Sequence, residues 1–341
     1  MNILSFVSNR LFVLAAVAFF GAGITTANAT EPCDDFGECK VLVEINSTDG
    51  DAGFHFLMDG DDLRWAGMFN PHGRKIFSYH TRRELRSQTL TETFAESAEP
   101  LCWFDPEEDP EDVVTLEEFL GRWKTGTYHF LGISAGWEIS SGASPLGFDL
   151  PAAPAEVEYE SEMDGDDIEG EISWEPGDDL GNCAERWDEE DEEEGDDPNV
   201  PNLDDILHLL DEDPEDVEVF AWEVVLEPDF EDEDPNSVLN NMKYVVRIPG
   251  DGCDEDEKVD GECVEFEAEV PDDYLETLPE NTPAKAEVGA IGLEDNATFT
   301  EIDEICLNDS LFPDDYVEGV NEDGEDTLFN GCGFEVEEDG D

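Results

Sequence analysis

The chain has 341 residues, enough for two or three domains that each bury a core of their own. It carries 94 acidic residues against 15 basic ones, a net charge of −79, which repels phosphate backbones and anionic headgroups and excludes nucleic acid and acidic membranes as natural partners. Hydrophobic residues make up 39%, with 21 Phe and 7 Trp, which is too much apolar payload for a disordered acidic tail.

Residues 1–29 read as an export signal. One positive charge lies in Asn2–Arg10, an unbroken apolar run covers Leu11–Phe20, and Ala27-Asn28-Ala29 is a small-x-small cleavage site. That run is too short to span a bilayer and no later stretch could anchor the chain, so the expected mature protein is secreted, with no membrane insertion. All eight cysteines lie beyond the cleavage site, which in an exported chain points to disulfides. Proximity favours Cys33–Cys39, Cys253–Cys263 and Cys306–Cys332, and elimination leaves Cys102–Cys183.

Residues 30–150 read as an N-terminal β-rich, sandwich-like domain. Val41, Val43 and Ile45 share one strand face, and Phe54, Phe56 and Met58 share the next. Turn signals at Thr48–Asp51, Asp59-Gly60-Asp61 and Asn70–Gly73 fall about ten residues apart, the cadence of a sandwich or barrel. Ile76–Tyr79 is expected to come next as another strand. A single helix is expected where Thr115 and Glu118 form a capping box ahead of Leu116, Phe119, Leu120 and Trp123 on one stripe. The period then returns to two at Tyr128 and Phe130, and Pro151-Ala-Ala-Pro154 makes a stiff linker.

Residues 151–306 read as a second β domain. Val157 and Tyr159 alternate as its first strand; Ile168, Gly170, Ile172 and Trp174 form its second. Phe220, Trp222, Val224 and Leu226 suit the third, Tyr244–Ile248 the next, and Val264, Phe266, Ala268 and Val270 the one after. Across Leu278–Ala290, a Pro- and Asn-rich entry leads into strict alternation at Ala284, Ala286, Val288 and Ala290, as a half-buried strand requires. Thr298–Ile305 suits the last strand. The Leu-Pro-x-x-Thr entry and the ending Ile172-Ser-Trp174-Glu-Pro176 resemble the fibronectin type III pattern, with Trp174 as the core residue of the second strand. The resemblance implies a β-sandwich module for binding, adhesion or spacing, without catalytic residues.

Two features depart from that pattern. Ala284 stands where the family carries a corner tyrosine, so Pro279, Pro283 or packing must hold the corner. Residues 176–216 form a long acidic insertion with the run Asp188–Glu194 and a short amphipathic helix of Leu203, Ile206, Leu207 and Leu210. A surface loop of that length is expected to be a tolerated insertion. Residues 307–341 form an acidic C-terminal segment.

Three constellations invite chemistry. Gly132-Ile-Ser134-Ala-Gly136 matches the nucleophile-elbow pattern and His129 lies nearby, which would make an exported hydrolase; but an elbow needs a helix after it, and a Gly-rich turn is the simpler reading. Asp49, Asp51, Asp59 and Asp61 cluster hard oxygen donors in turns, the candidate ligands for calcium in a calcium-stabilised protein, although Asp and Gly also suit turns for their own sake. Lastly, Arg64, Arg74, Lys75, Arg82, Arg83 and Arg86 lie within 23 residues that hold one acid, Glu84, an island of net +5. It is a contact surface for an unknown anionic protein or polysaccharide, or else a set of arginines paired with the abundant carboxylates. The expectation is a mainly β, secreted, non-catalytic binding protein with a salt-adapted acidic surface and no cofactor.

Overall fold

The computed structural model describes residues 33, 35–98, 114, 116–164, 167–181, 183, 209–230, 238–253, 258–259, 262–310, 316–320 and 326–336. The export signal, Cys102, the acidic run Asp188–Glu194 and the Leu203–Leu207 part of the expected helix lie outside these residues. The protein is mainly β, with two sheets in a sandwich-like arrangement.

In the N-terminal half the strands are β1 (Glu38–Asn46), β2 (Asp51–Phe69), β3 (Lys75–His80), β4 (Leu90–Glu96), β5 (Gly126–Ser134) and β6 (Ile139–Leu146). Val41, Val43, Ile45, Phe54, Phe56 and Met58 point into one core, as their alternation dictates. The expected turn at Asp59-Gly60-Asp61 is not formed. β2 runs through it for 19 residues, because both its edges find partners: Glu38 and Glu92 pair across Asp59, and Gly37 N–H donates to Asp59 O at 2.8 Å. Gly60 is needed for close approach, since a Cβ there would meet the Phe36 ring at 2.8 Å. Beyond it Asp62 takes φ 53°, and the partners of β2 change from β1 and β4 to β3 and β5.

Two short helices occur among the described residues of this half, where one was expected. α2 (Leu116–Arg122) buries Leu116, Phe119 and Leu120, and Trp123 just beyond it stacks on Phe54 with centroids 3.7 Å apart. α1 (Arg83–Gln88) leaves no trace in the sequence pattern, since it buries no residue and so carries no apolar stripe.

The second half holds β7 (Ala155–Asp164), β8 (Asp167–Glu175), β9 (Val219–Pro228), β10 (Tyr244–Pro249), β11 (Lys258–Val259), β12 (Glu262–Cys263), β13 (Phe266–Val270), α3 (Asp272–Leu275), β14 (Thr282–Gly292) and β15 (Ala297–Leu307). A three-stranded sheet, β13-β8-β7, covers the β10-β9-β14-β15 part of the large sheet. Trp174, fully buried, stacks on Phe266 at 5.7 Å, and Phe266 tilts against Trp222 at 4.9 Å. Phe220 departs from the expected core stripe and is exposed, because the register against β14 shifts between Ile291 and Gly292, skips Phe220 and turns Val219 toward the core instead. β16 (Val317–Val320), β17 (Asp326–Phe329) and β18 (Glu335–Val336) form a separate small sheet.

Three of the expected disulfides are present: Cys33–Cys39, Cys253–Cys263 and Cys306–Cys332, with Cα separations of 5.3, 5.9 and 5.6 Å. Cys183 is disulfide-bonded, while Cys102, its expected partner, is not among the described residues. Among the described residues no helix is long and apolar enough to cross a membrane.

The two halves share one sheet. β1 pairs in parallel with β15 over Glu44–Asn46, so the sheet runs as β10-β9-β14-β15-β1-β2-β5-β6 across position 150. Residues 151–154 are buried against it, unlike a swinging linker. Thr298 Oγ1 donates to Pro151 O and Thr300 Oγ1 to Pro154 O, both at 2.6 Å. Asn296 accepts from Val43 N–H at 2.9 Å and donates to Gly147 O and Asp149 O at 3.2 and 3.1 Å. The insertion is also more than a tolerated loop: Leu180, Cys183 and Leu210 at its two ends join the core of the N-terminal half.

The corner that leads into β14 is held by polar groups that the strand pattern does not reveal. Asn308 Nδ2 reaches the carbonyls of Leu275, Leu278 and Pro279 at 2.7, 3.2 and 3.3 Å, and Thr282 Oγ1 donates to Pro279 O at 2.9 Å. The carboxamide just beyond the end of β15 thus ties the corner down.

Candidate functional site

On the outer face of β3, β2 and β5, strand register sets three side chains in a row. Trp65 has His80 opposite it on β3 and Ile133 opposite it on β5. The Trp65 ring lies forward along its own strand beside Gly67, where a Cβ would meet the indole at 2.9 Å. Glycine at 67 therefore fixes how far that ring can lean.

The far wall comes from the β5–β6 turn. Ser134 Oγ accepts the backbone N–H groups of Gly136 and Glu138, both at 3.1 Å, and Trp137 N–H donates to Ser134 O at 3.1 Å. These bonds hold Trp137 at φ 68°, a conformation unfavourable for a bulky residue, and its side chain stands 76% exposed. The third wall is cationic: Arg64 beside Trp65, and Arg86 on α1. Thr81 ties β3 to β2 there, its N–H and Oγ1–H both donating to Arg64 O at 2.9 and 3.1 Å. Together these residues line a cleft of about 330 Å³.

The electrostatics of the cleft set it apart from the rest of the chain. Lys40, Arg122, Lys243, Arg247 and Lys285 each have a carboxylate partner, Lys285 lying 2.7 Å from Glu301 and 3.8 Å from both Glu227 and Glu287. Arg64, Arg74, Lys75, Arg82, Arg83 and Arg86 have none among the described residues. Arg64 Nε is buried without a hydrogen-bond partner. A buried guanidinium N–H costs free energy when left unmet.

The other expected site residues fall elsewhere. His129 and Ser134 are five residues apart on β5 and so face opposite sides of the sheet, His129 exposed and Ser134 buried. Beyond Ser134 the chain makes a hairpin into β6, where an elbow needs a helix; the hydroxyl builds a turn. Asp49 is engaged in the β1–β2 turn, taking a hydrogen bond from Asn46 Nδ2 at 3.0 Å. Asp51 and Asp59 lie eight residues apart along β2, about 26 Å at the rise of a strand, and Asp61 is exposed beyond them. The structure does not bring these four together, and among the described residues no group of three or more His, Cys, Asp or Glu is placed to hold a metal ion.

A second titratable group sits at the junction of the halves. Burial raises the Glu294 carboxyl above its ordinary value, and the charges of Asp149 and Asp211 add to the effect. Asp149 is raised too, by burial and then by Asp211. One oxygen of each, Asp149 Oδ1 and Glu294 Oε2, is buried without a partner.

The cationic island is visible in the sequence, but the cleft is not. His80 and Trp137 give no signal there, because what joins them to Arg64 and Trp65 is strand register and a left-handed turn residue.

No protein-family model matches the chain, and no curated protein matches it. Among solved structures, Salmonella alpha-2-macroglobulin reacted with methylamine is similar at 8% identity and a TM-score of 0.21, over 90% of this chain and 17% of that one. The chain thus spans about a sixth of that protein's length, and a likeness this slight carries nothing about fold or role.

Proposed function

We propose that the protein is an exported, non-catalytic binding protein whose contact site is the cleft between Trp65 and Trp137, and whose ligand is anionic. The observation that carries this reading is the pair of guanidinium groups, Arg64 and Arg86, that line the cleft without an acidic partner among the described residues, in a chain where acids outnumber bases 94 to 15. Random placement would pair them; keeping them apart leaves a local positive field focused on two indole faces. The second half then serves as a fibronectin type III-like module that supports the site. Its split into β13-β8-β7 against β10-β9-β14-β15 and the buried Trp174 favour that assignment. Export is favoured by the leader and by three disulfides, which persist in oxidising compartments.

The test is a thermal-shift screen of small organic anions against the full chain and the variant Arg86→Glu. A ligand at about 100 times its Kd stabilises the folded state by about 2.7 kcal/mol, readily seen as a raised midpoint. Arg86 is exposed, so its reversal should leave the unliganded melt unchanged and remove the shift. Anions that shift both proteins equally would place their binding elsewhere and sink the reading.

A further inference from the structure

Resting on the reading of the cleft as an anion site, we infer that it takes a single carboxylated sugar ring at the end of an otherwise neutral saccharide, and that it turns polyanions away. Size comes first. About 330 Å³ is the low end of ligand pockets, room for one ring or two but not for a longer segment.

The polarity of the lining is one-sided. Arg64 and Arg86 present planar guanidinium forks that match a carboxylate. No lining side chain is a carboxylate. The cleft therefore offers donors to an acceptor-rich ligand.

The indoles decide what carries the acid. Trp137 at 76% exposure offers a broad surface that cannot enclose a ligand on both sides. Whatever lies on it keeps its other face wet. A sugar ring suits this, with an apolar C–H face to stack and a hydroxylated rim to hydrate; an aromatic acid would leave one apolar face in water.

The whole-chain charge limits the ligand to one acid. The island is net +5 within a chain of −79, and Asp61, Glu84 and Glu138 stand exposed around the cleft. At physiological salt the screening length is about 8 Å, so a charge on the neighbouring sugar already meets the acidic coat. Local attraction holds the first carboxylate, and the surrounding field rejects the second.

Isothermal titration of the full chain with four probes tests this: the methyl glycoside of glucuronic acid, neutral methyl glucoside, a polyuronate oligomer and inorganic sulfate. The acid glycoside should bind about tenfold or more tighter than the neutral one, and Trp137→Ala should cost about tenfold. The oligomer should bind weakly at about 0.15 M salt and recover at about 1 M, where screening shortens to about 3 Å. That rise with salt is opposite to ordinary charge attraction. Equal binding of both glycosides, or an oligomer that binds tightest at low salt, overturns the inference. Sulfate binding that Arg86→Glu abolishes and Trp137→Ala does not would keep the anion reading and refute the saccharide. Silence from every probe, with a flat thermal-shift screen, removes both. Trp137 is largely exposed, so its loss is not expected to unfold the chain.

Discussion

Asn296 offers the sharpest test of how the two halves are joined. It is fully buried, and its carboxamide makes three hydrogen bonds, one from Val43 N–H in β1 and two to carbonyls at 147 and 149. Asn296→Ala removes all three, at about 1 kcal/mol each, so the expected loss is about 3 kcal/mol. Most of that cost sits on the Val43 N–H, a donor with one hydrogen, whereas each carbonyl keeps a second lone pair. The midpoint should fall on the order of 6 °C. Asn296→Asp sharpens the case, because it keeps an acceptor for Val43 but turns a carboxylate toward two carbonyls. It should be the more destabilised variant at neutral pH and recover as the carboxyl protonates. Calorimetry reads both. A fall below about 0.5 kcal/mol for the alanine variant would show that β1–β15 pairing alone holds the halves together. If the alanine variant instead splits one transition into two, the carboxamide is what makes the halves unfold as a unit.

The raised carboxyls of Asp149 and Glu294 set a pH dependence: the folded state holds protons that the unfolded state has released, so their contribution to stability falls as pH rises through the window just above their ordinary values of 3.8 and 4.5. Glu294→Gln should flatten that part of the melting curve, and identical pH profiles for variant and parent would refute it. Trp174→Ala should cost about 3–5 kcal/mol by emptying the space between Trp222 and Phe266, and denaturant unfolding with a loss under about 1 kcal/mol would mean that the second core can close over the gap.

Periodicity marked the core faces of several strands, but not β4 or β6, and it placed Val264, which is exposed ahead of β13, on a core stripe. Val41–Ile45, Phe54–Met58 and Ala284–Ala290 alternate because one face of each strand meets a core, and that constraint is written residue by residue. The three short-range disulfides were legible for a related reason, since chain proximity already limits which thiols can meet. Tertiary structure decided the rest. The Asp59-Gly60-Asp61 signal looked like a turn, but partners on both edges of β2 outweighed local preference. The parallel seam between Asn46 and Phe299 joins residues 253 apart, and no local pattern encodes such a pairing. Ser134 illustrates the limit most plainly. Its motif suggested a nucleophile, and the fold uses the hydroxyl to brace a turn that points Trp137 out toward water. The cleft exists because register sets His80 and Ile133 beside Trp65, and register is fixed by which faces are buried across the whole sheet.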